Sequence, residues 1–436
     1  MRFHRISLYL LFTFCSACVS SQSLHLPLHP PIPDSASPSE ALSLLVQQYL
    51  ASGDPGQSKQ LLDEIQTQKG VTVEQVEEAI RQGGPYPPEP KRGSLHLTVE
   101  IEDQPADYAL YVPESYDPAN AYPLIVCLHG AGFTGDSYLE RWQPRLGEKS
   151  LLACPTIQGG AWWSPAGETL VLAVIDAVQS KYRVDPNRIY LTGMSNGGIG
   201  AYLSGIFHAD RFAAVAPMAA GIPDEIFPFL RNLSSTGIYI VHGAKDEVMP
   251  VMLSRNVSAY LKEQGIPYVY REHDRLHPMA GGHFFPREEL PDLVAWFEGQ
   301  QRQPYPMKVV SIRDTEHLIP FYWTEINETE KGIASVYGSI FDKEEAERVK
   351  EGSFASLIAE IKENRVAVKT ERVARYTLYF NRQLIDFSKP VTIDTNGRKS
   401  FEGRLSEGIA ALLEEAKRRR DPGALYPASV TINVGG

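Results

Sequence analysis

Cysteine and basic charge are both scarce in this sequence, and each scarcity excludes a class of protein. Only four cysteines occur in 436 residues, which is too few for a disulfide framework, and the chain beyond the N-terminus has no zinc-ligand spacing. Lys and Arg number 42 against 53 Asp and Glu, so the formal net charge is −11. Because an acidic protein is repelled by phosphate backbones, we expect no nucleic-acid partner.

Long hydrophobic runs are also missing, since none beyond the N-terminus reaches the ~20 residues of a membrane-spanning helix. The N-terminus instead has the features of an export signal. Arg2 and Arg5 precede a short apolar stretch, and small residues lead up to Cys18. We therefore predict a signal peptide over 1–17 and an exported protein, either secreted or held in a bacterial cell envelope. Lipidation of Cys18 would attach it to a membrane, whereas simple cleavage after Ala17 would release it.

The remaining cysteines, Cys127 and Cys154, each lie in an apolar run. A free cysteine in such a run behaves as a small hydrophobic side chain. We therefore expect both to be buried.

Changes of periodicity divide the rest of the chain. Residues 18–38 are rich in Ser, Pro and His and indicate a tether, and 39–82 show the apolar spacing of a small helical appendage. A Pro- and Gly-rich linker follows. Residues 94–299 form the predicted central domain. A second linker leads to 305–436, where strand-like runs and a helix at 404–419 predict a β-rich domain of unknown role.

Within 94–299, short apolar runs alternate with segments of helical spacing. The helical segments are 168–181, 196–207, 252–264 and 288–299. Strands that are apolar throughout are typical of a parallel sheet covered on both faces. The pattern predicts the α/β class, with a doubly wound, mostly parallel sheet.

The motif Gly-Met-Ser-Asn-Gly at 193–197 carries the strongest chemical signal. It follows a strand-like run and precedes a helical one. A serine nucleophile needs exposure on a sharp strand-to-helix turn, and the flanking glycines leave room for that turn. We predict that Ser195 is a catalytic nucleophile.

A second glycine-rich turn, Leu-His-Gly-Ala-Gly at 128–132, follows another apolar run. Acyl transfer develops a negative oxygen, which fixed backbone N–H groups stabilise. We expect one such donor at Asn196, directly after the nucleophile, and the other at Ala131.

An acidic residue and a histidine are needed to complete the site. Asp246 follows the apolar run 237–241, the position expected for the residue that orients a catalytic histidine. Glu247 and Asp224 are the alternatives.

The base should come later in the chain. His283 lies in a flexible turn after two glycines and before the last helix of the domain. His277 is its main competitor, while His273 and His317 are weaker candidates.

These segments, in this order, resemble the α/β-hydrolase superfamily. Within it they are similar to the esterases called phospholipase/carboxylesterase-like, feruloyl-esterase-like and polyhydroxybutyrate-depolymerase-like, and the catalytic domain also resembles that of the prolyl oligopeptidase clan. The resemblance covers roughly 94–299. It is carried by the segments at 111–116, 128–132, 184–190 and 193–197.

The resemblance implies an α/β-hydrolase fold in which Ser195, His283 and Asp246 act as nucleophile, base and orienting acid. It implies cleavage of carboxylic esters through an acyl-enzyme, without a metal or organic cofactor. A serine peptidase and a non-catalytic surface binding protein are the alternatives. Trp162 and Trp163, in a loop between a strand and a helix, leave open whether the ester is aromatic or carbohydrate-linked.

Overall fold

The computed structural model describes residues 37–87, 89–146 and 148–435. The predicted signal peptide, Cys18 and nearly all of the predicted tether lie outside the described residues. Within those three ranges, no helix combines the length and apolar character needed to cross a membrane.

Three helices open the described chain: α1 (Pro38–Ala51), α2 (Pro55–Thr67) and α3 (Val73–Gln82). Each begins at a polar residue, Ser37, Asp54 or Thr72, whose side chain accepts a hydrogen bond from a backbone amide of the first turn. Such caps satisfy amides that have no acceptor inside the helix. The apolar faces of these helices pack against a C-terminal helix around Leu412 and Leu413.

The central sheet of the described chain has eight strands. They are β1 (Gly93–Ile101), β2 (Gln104–Val112), β3 (Tyr122–Leu128), β4 (Leu151–Pro155), β5 (Val184–Met194), β6 (Ala214–Met218), β7 (Gly237–Gly243) and β8 (Val269–His273). Their order in the sheet is β1-β2-β4-β3-β5-β6-β7-β8. The β1–β2 and β2–β4 pairs are antiparallel and the others are parallel.

Helices lie between these strands and cover the sheet on both faces. They are α4 (Gly135–Leu146), α5 (Pro165–Gln179), α6 (Asn196–Phe207), α7 (Met252–Glu263) and α8 (Leu290–Glu298). Strands β4 and β6 are buried along their whole length, as continuous apolar runs predict. Cys127 and Cys154 are buried and unpaired, so the prediction made for them is confirmed.

The C-terminal region contains two further sheets. Its strands are β9 (Lys308–Arg313), β10 (Thr324–Thr329), β11 (Ala355–Lys362), β12 (Arg365–Glu371), β13 (Val373–Phe380), β14 (Val391–Thr395), β15 (Arg398–Gly403) and β16 (Ala428–Asn433). One sheet has the order β15-β14-β12-β11-β9 and the other β10-β13-β16. Its helices are α9 (Val336–Phe341), α10 (Lys343–Lys350) and α11 (Ile409–Arg419). Helix α11 begins five residues later than predicted, after Gly408, whose backbone is extended.

The C-terminal region shares its hydrophobic core with the central sheet. The Asn232 side chain bonds both the amide and the carbonyl of Ile312, at 2.7 and 3.0 Å, as a neighbouring strand would. Arg302, which lies in the predicted linker, forms a buried ion pair with Asp421 of the C-terminal region. The α/β class with a mostly parallel sheet and a C-terminal β-rich region is therefore confirmed.

Candidate active site

Ser195 stands on a strained turn between β5 and α6. Its backbone has φ 60° and ψ −123°, and its hydroxyl does not cap the helix that follows. A Cβ added at Gly193 would lie 2.3 Å from the Gly197 carbonyl oxygen, and one at Gly197 would lie 2.0 Å from the Leu128 carbonyl oxygen. The glycines are required because the turn is packed backbone against backbone. The Ser195 side chain on this turn is half-buried, and its strained backbone is of the kind found where a serine is presented as a nucleophile.

His283 and Asp246 form the clearest pair of ionisable side chains at this edge of the sheet. His283 Nδ1 lies 2.7 Å from Asp246 Oδ2. The other carboxylate oxygen accepts hydrogen bonds from the amides of Val248 and Met249, at 2.9 and 2.8 Å. The Asp246 carboxylate is thus held from both sides. A hydrogen bond from Nδ1–H leaves His283 Nε2 able to take a proton.

Two glycines bring these two residues together. A Cβ at Gly282 would lie 2.4 Å from the Lys245 carbonyl and 2.6 Å from the Asp246 amide. A Cβ at Gly243 would lie 2.1 Å from the Gly282 carbonyl oxygen. The turn before His283 therefore lies directly on the end of β7, at a distance that a side chain would prevent.

The competing histidines have other partners. His277 pairs through its backbone with Gly281, and its Nδ1 accepts from the Met279 amide at 3.2 Å. The Nε2 of His273 lies 3.2 Å from the Phe284 carbonyl oxygen. His317 pairs with Asp314, in the C-terminal region.

Glu247 and Asp224 are exposed, and among the described residues neither bonds to a histidine side chain. No hydrogen bond joins Ser195 Oγ to His283 in the described part of the chain, so that contact stays a prediction. Catalytic hydrogen bonds of this kind often tighten only when substrate is bound.

The two predicted oxyanion donors border the same space. A Cβ at Gly160 would meet Asn196 Nδ2 at 3.2 Å and the Ala131 Cα at 3.5 Å. Asn196 is the first residue of α6, so its amide has no acceptor within the helix. This position suits a donor to a developing oxyanion.

His129 holds the Ala131 turn in place. Its Nδ1 donates to the Gly130 carbonyl at 2.8 Å, and its Nε2 accepts from the Ile157 amide at 3.1 Å. Burial lowers the pKa of His129, which keeps the ring neutral. Trp162 Nε1 donates to the His129 carbonyl at 2.8 Å. Because Trp162 is buried, it packs this loop and offers no face for stacking on a sugar.

His242 packs behind Asp246 and was not among the predicted catalytic residues. His242 is completely buried, and its Nε2 lies 2.8 Å from the Met249 carbonyl and 3.3 Å from Asp246 Oδ2. Its Nδ1 lies 2.7 Å from Ser254 Oγ. His242 therefore fixes the loop whose amides hold Asp246. In the sequence, His242 precedes a glycine at the end of a strand, a position that favours a structural role over a catalytic one.

No protein-family model matches this chain. A probable feruloyl esterase C of Aspergillus terreus is 29% identical over 156 residues, covering 33% of this chain and 56% of that enzyme. Poly(3-hydroxyalkanoate) depolymerase C of Paucimonas lemoignei is 32% identical over 120 residues, covering 24% of this chain and 29% of its own. This chain thus matches little more than half of the first relative and less of the second.

Among solved structures, a thermostable esterase is similar over 48% of this chain and 63% of its own, with 28% identity and a TM-score of 0.42. An S-formylglutathione hydrolase of Staphylococcus aureus covers 49% of this chain, with 16% identity and a TM-score of 0.40. The sheet described above and the two sequence relatives confirm the resemblance of this chain to the serine esterases of the α/β-hydrolase superfamily.

Proposed function

We propose that this protein is a serine hydrolase that cleaves carboxylic esters. The main support for the proposal is the contact between His283 Nδ1 and Asp246 Oδ2, which are 2.7 Å apart. This pair lies at the edge of the sheet where Ser195 occupies its strained turn. The sequence relatives named as a feruloyl esterase and a poly(3-hydroxyalkanoate) depolymerase support ester hydrolysis.

In the proposed reaction, Ser195 Oγ attacks the ester carbonyl while His283 Nε2 takes the hydroxyl proton. The carbonyl oxygen becomes an oxyanion near the amides of Ala131 and Asn196. The intermediate collapses to an acyl-enzyme, and His283 gives its proton to the leaving alcohol. Water, deprotonated by His283, then releases the carboxylic acid and restores Ser195. Asp246 stabilises the imidazolium that forms in each half of the reaction.

The surroundings of the site favour an apolar acyl or alcohol group. Large hydrophobic side chains are exposed in the segments that follow β3, β7 and β8, the strands whose ends carry the site. They are Phe133, Val248, Met252, Leu276 and Met279. This rim is compatible with an aromatic or aliphatic ester.

Export and attachment through a lipid on Cys18 belong to the proposal as well. They rest on the N-terminal sequence. Labelling with a lipid precursor, compared between the natural chain and Cys18→Ser, tests the attachment.

Ser195→Ala is the test of the proposed reaction. It should lower kcat by about 10⁴-fold or more on short nitrophenyl esters, since it removes the nucleophile of a cooperating set. A fluorophosphonate should label the natural chain at Ser195 and leave the variant unlabelled. Near-normal activity in the variant would refute the proposal. A panel of esters and peptidyl amides then separates an esterase from a peptidase.

A further inference from the structure

A buried polar cluster joins the C-terminal region to helix α5, one of the helices that cover the central sheet. At its centre is Glu168, in the first turn of α5. One carboxylate oxygen of Glu168 lies 2.8 Å from His208 Nε2. The other accepts from the Tyr337 hydroxyl at 2.6 Å and lies 3.1 Å from His317 Nε2. His208 follows α6 of the central sheet, whereas Tyr337 and His317 come from the C-terminal region.

The other ring nitrogen of His317 also contacts a carboxylate. His317 Nδ1 lies 2.5 Å from Asp314 Oδ1, and the other Asp314 oxygen accepts from the Val336 amide at 2.8 Å. The imidazole ring stacks on Phe207, with ring centroids 3.5 Å apart. These contacts clamp the imidazole between the two regions.

His317 contacts two carboxylates, Glu168 and Asp314, and its protonated ring supplies a positive charge beside both. Burial alone would lower the pKa of His317, but hydrogen bonds to Asp314 and Glu168 outweigh burial and raise that pKa to about 9. Burial would raise the pKa of the Glu168 carboxyl, but His208 and His317 hold it well below its ordinary value. Three further ionisable groups face the cluster. Burial and the neighbouring Asp314 carboxylate raise the pKa of Glu316 to about 7. The others are the buried Arg313 and Asp210 near that arginine.

Helix α5 connects this cluster to the proposed oxyanion site. Ser164 caps the helix four residues before Glu168, accepting from the Gly167 amide at 3.3 Å. The loop that ends at this cap contains Gly160, which lies between Ala131 and Asn196, and Trp162, which bonds the His129 carbonyl. A displacement of the first turn of α5 would therefore move the loop that borders both oxyanion donors.

We propose that Tyr337 and His317 are positioning residues for the ester hydrolysis, because they hold Glu168 and so the loop beside the oxyanion donors. The inference rests on the proposed function. It gives the C-terminal region a part in catalysis, where a separable binding module would have none.

Tyr337→Phe tests the inference, with Tyr376→Phe as the matched control. Both tyrosines are buried in the C-terminal region and lose one hydroxyl. The Tyr376 hydroxyl, however, bonds Thr395 within the same region, 2.5 Å away, and has no contact with Glu168. The oxyanion is absent from the bound ester and develops on the way to the tetrahedral intermediate, so a displaced donor should lower kcat without raising KM. We expect Tyr337→Phe to lower kcat roughly 5- to 20-fold at unchanged KM, and Tyr376→Phe to leave both within twofold.

The dependence of kcat on pH provides a second test, because a purely structural role of His317 would not change it. The proposed base His283 acts when neutral, so its protonation limits activity on the acid side. Loss of the His317 proton should instead lower kcat as the pH rises through about 9. In His317→Gln, kcat should already be low at pH 7 and should not fall further over this alkaline range.

Active sites should be counted by fluorophosphonate labelling, so that kcat refers to folded protein only. Equal kcat values for the two tyrosine variants would overturn the inference. An unchanged alkaline limb in His317→Gln would overturn it as well, and this variant decides alone if Tyr337→Phe does not fold. In either case a dead Ser195→Ala variant would still support the proposed function, so the two failures are distinguishable.

Discussion

His283 Nδ1 lies 2.7 Å from Asp246 Oδ2, and the carboxylate that it contacts is wholly buried. Two backbone amides occupy the other oxygen of that carboxylate. A negative charge without access to water needs a partner. Among the four candidate histidines of the described chain, this contact distinguishes His283 from His273, His277 and His317, whose rings have other partners.

The first prediction separates His283 from His277. His283→Ala should lower kcat by about 10³-fold or more, because it removes the proposed base. His277→Ala should stay within a few-fold of the natural chain, since the described contacts of His277 are to its own loop. The measurement is kcat on a soluble short-chain ester, with folding checked by circular dichroism. Inactive His277→Ala beside active His283→Ala would reverse the assignment.

The second prediction concerns the close approach at Gly282. Gly282→Ala would place a Cβ 2.4 Å from the Lys245 carbonyl, so the loop carrying His283 must move. We expect both a loss of kcat and a decrease of about 1–3 kcal/mol in the free energy of unfolding.

Gly281→Ala is the matched control for Gly282→Ala. Its Cβ would meet nothing within 4 Å, although its φ of +56° carries backbone strain. It should cost about 1 kcal/mol and largely spare kcat. Urea unfolding and steady-state kinetics measure the two effects. Similar kcat values for the two alanine variants would show that the approach of the two backbones does not position His283.

The third prediction concerns the buried ion pair Arg302–Asp421, at 2.5 Å. Arg302→Ala should lower the free energy of unfolding by about 3–5 kcal/mol, since it leaves a buried carboxylate uncompensated. Arg365→Ala is the control, because its pair with Asp394 is largely exposed and should contribute at most about 1 kcal/mol. Equal losses in the two variants would contradict this view of the junction.

The Arg302–Asp421 pair also predicts how the stability of the protein changes at acidic pH. Burial would raise the pKa of Asp421, but Arg302 outweighs burial and lowers it. The contribution of the pair is therefore complete above the unfolded-state pKa of about 3.9 and is lost as the pH falls toward the lowered value. Unfolding measured between pH 6 and pH 3 should show this loss in the natural chain and a smaller one in Arg302→Ala.

Most elements of the catalytic region could be predicted from the sequence alone. Helices α5 to α8 lie close to the predicted segments, because their apolar spacing and flanking turns are local properties. Helix α4 was not predicted, since it contains Pro144 and its apolar residues follow a glycine-rich turn. Chain order and glycine placement also led to Ser195, Asp246 and His283 as candidates before any contact was known.

Pairwise contacts between distant segments could not be predicted in this way. Glu168 contacts His317 and Tyr337, which lie 149 and 169 residues further along the chain. His242 and Asp246 are only four residues apart, but their contact depends on how the loop between them folds. The sequence by itself determined the order of the elements, the strained turn at Ser195 and the candidates for its partners. Only the tertiary structure decided which histidine contacts Asp246, and that the C-terminal region shares the hydrophobic core of the central sheet. Both outcomes depend on contacts between segments that are far apart in the sequence, and the packing of the fold determines those contacts.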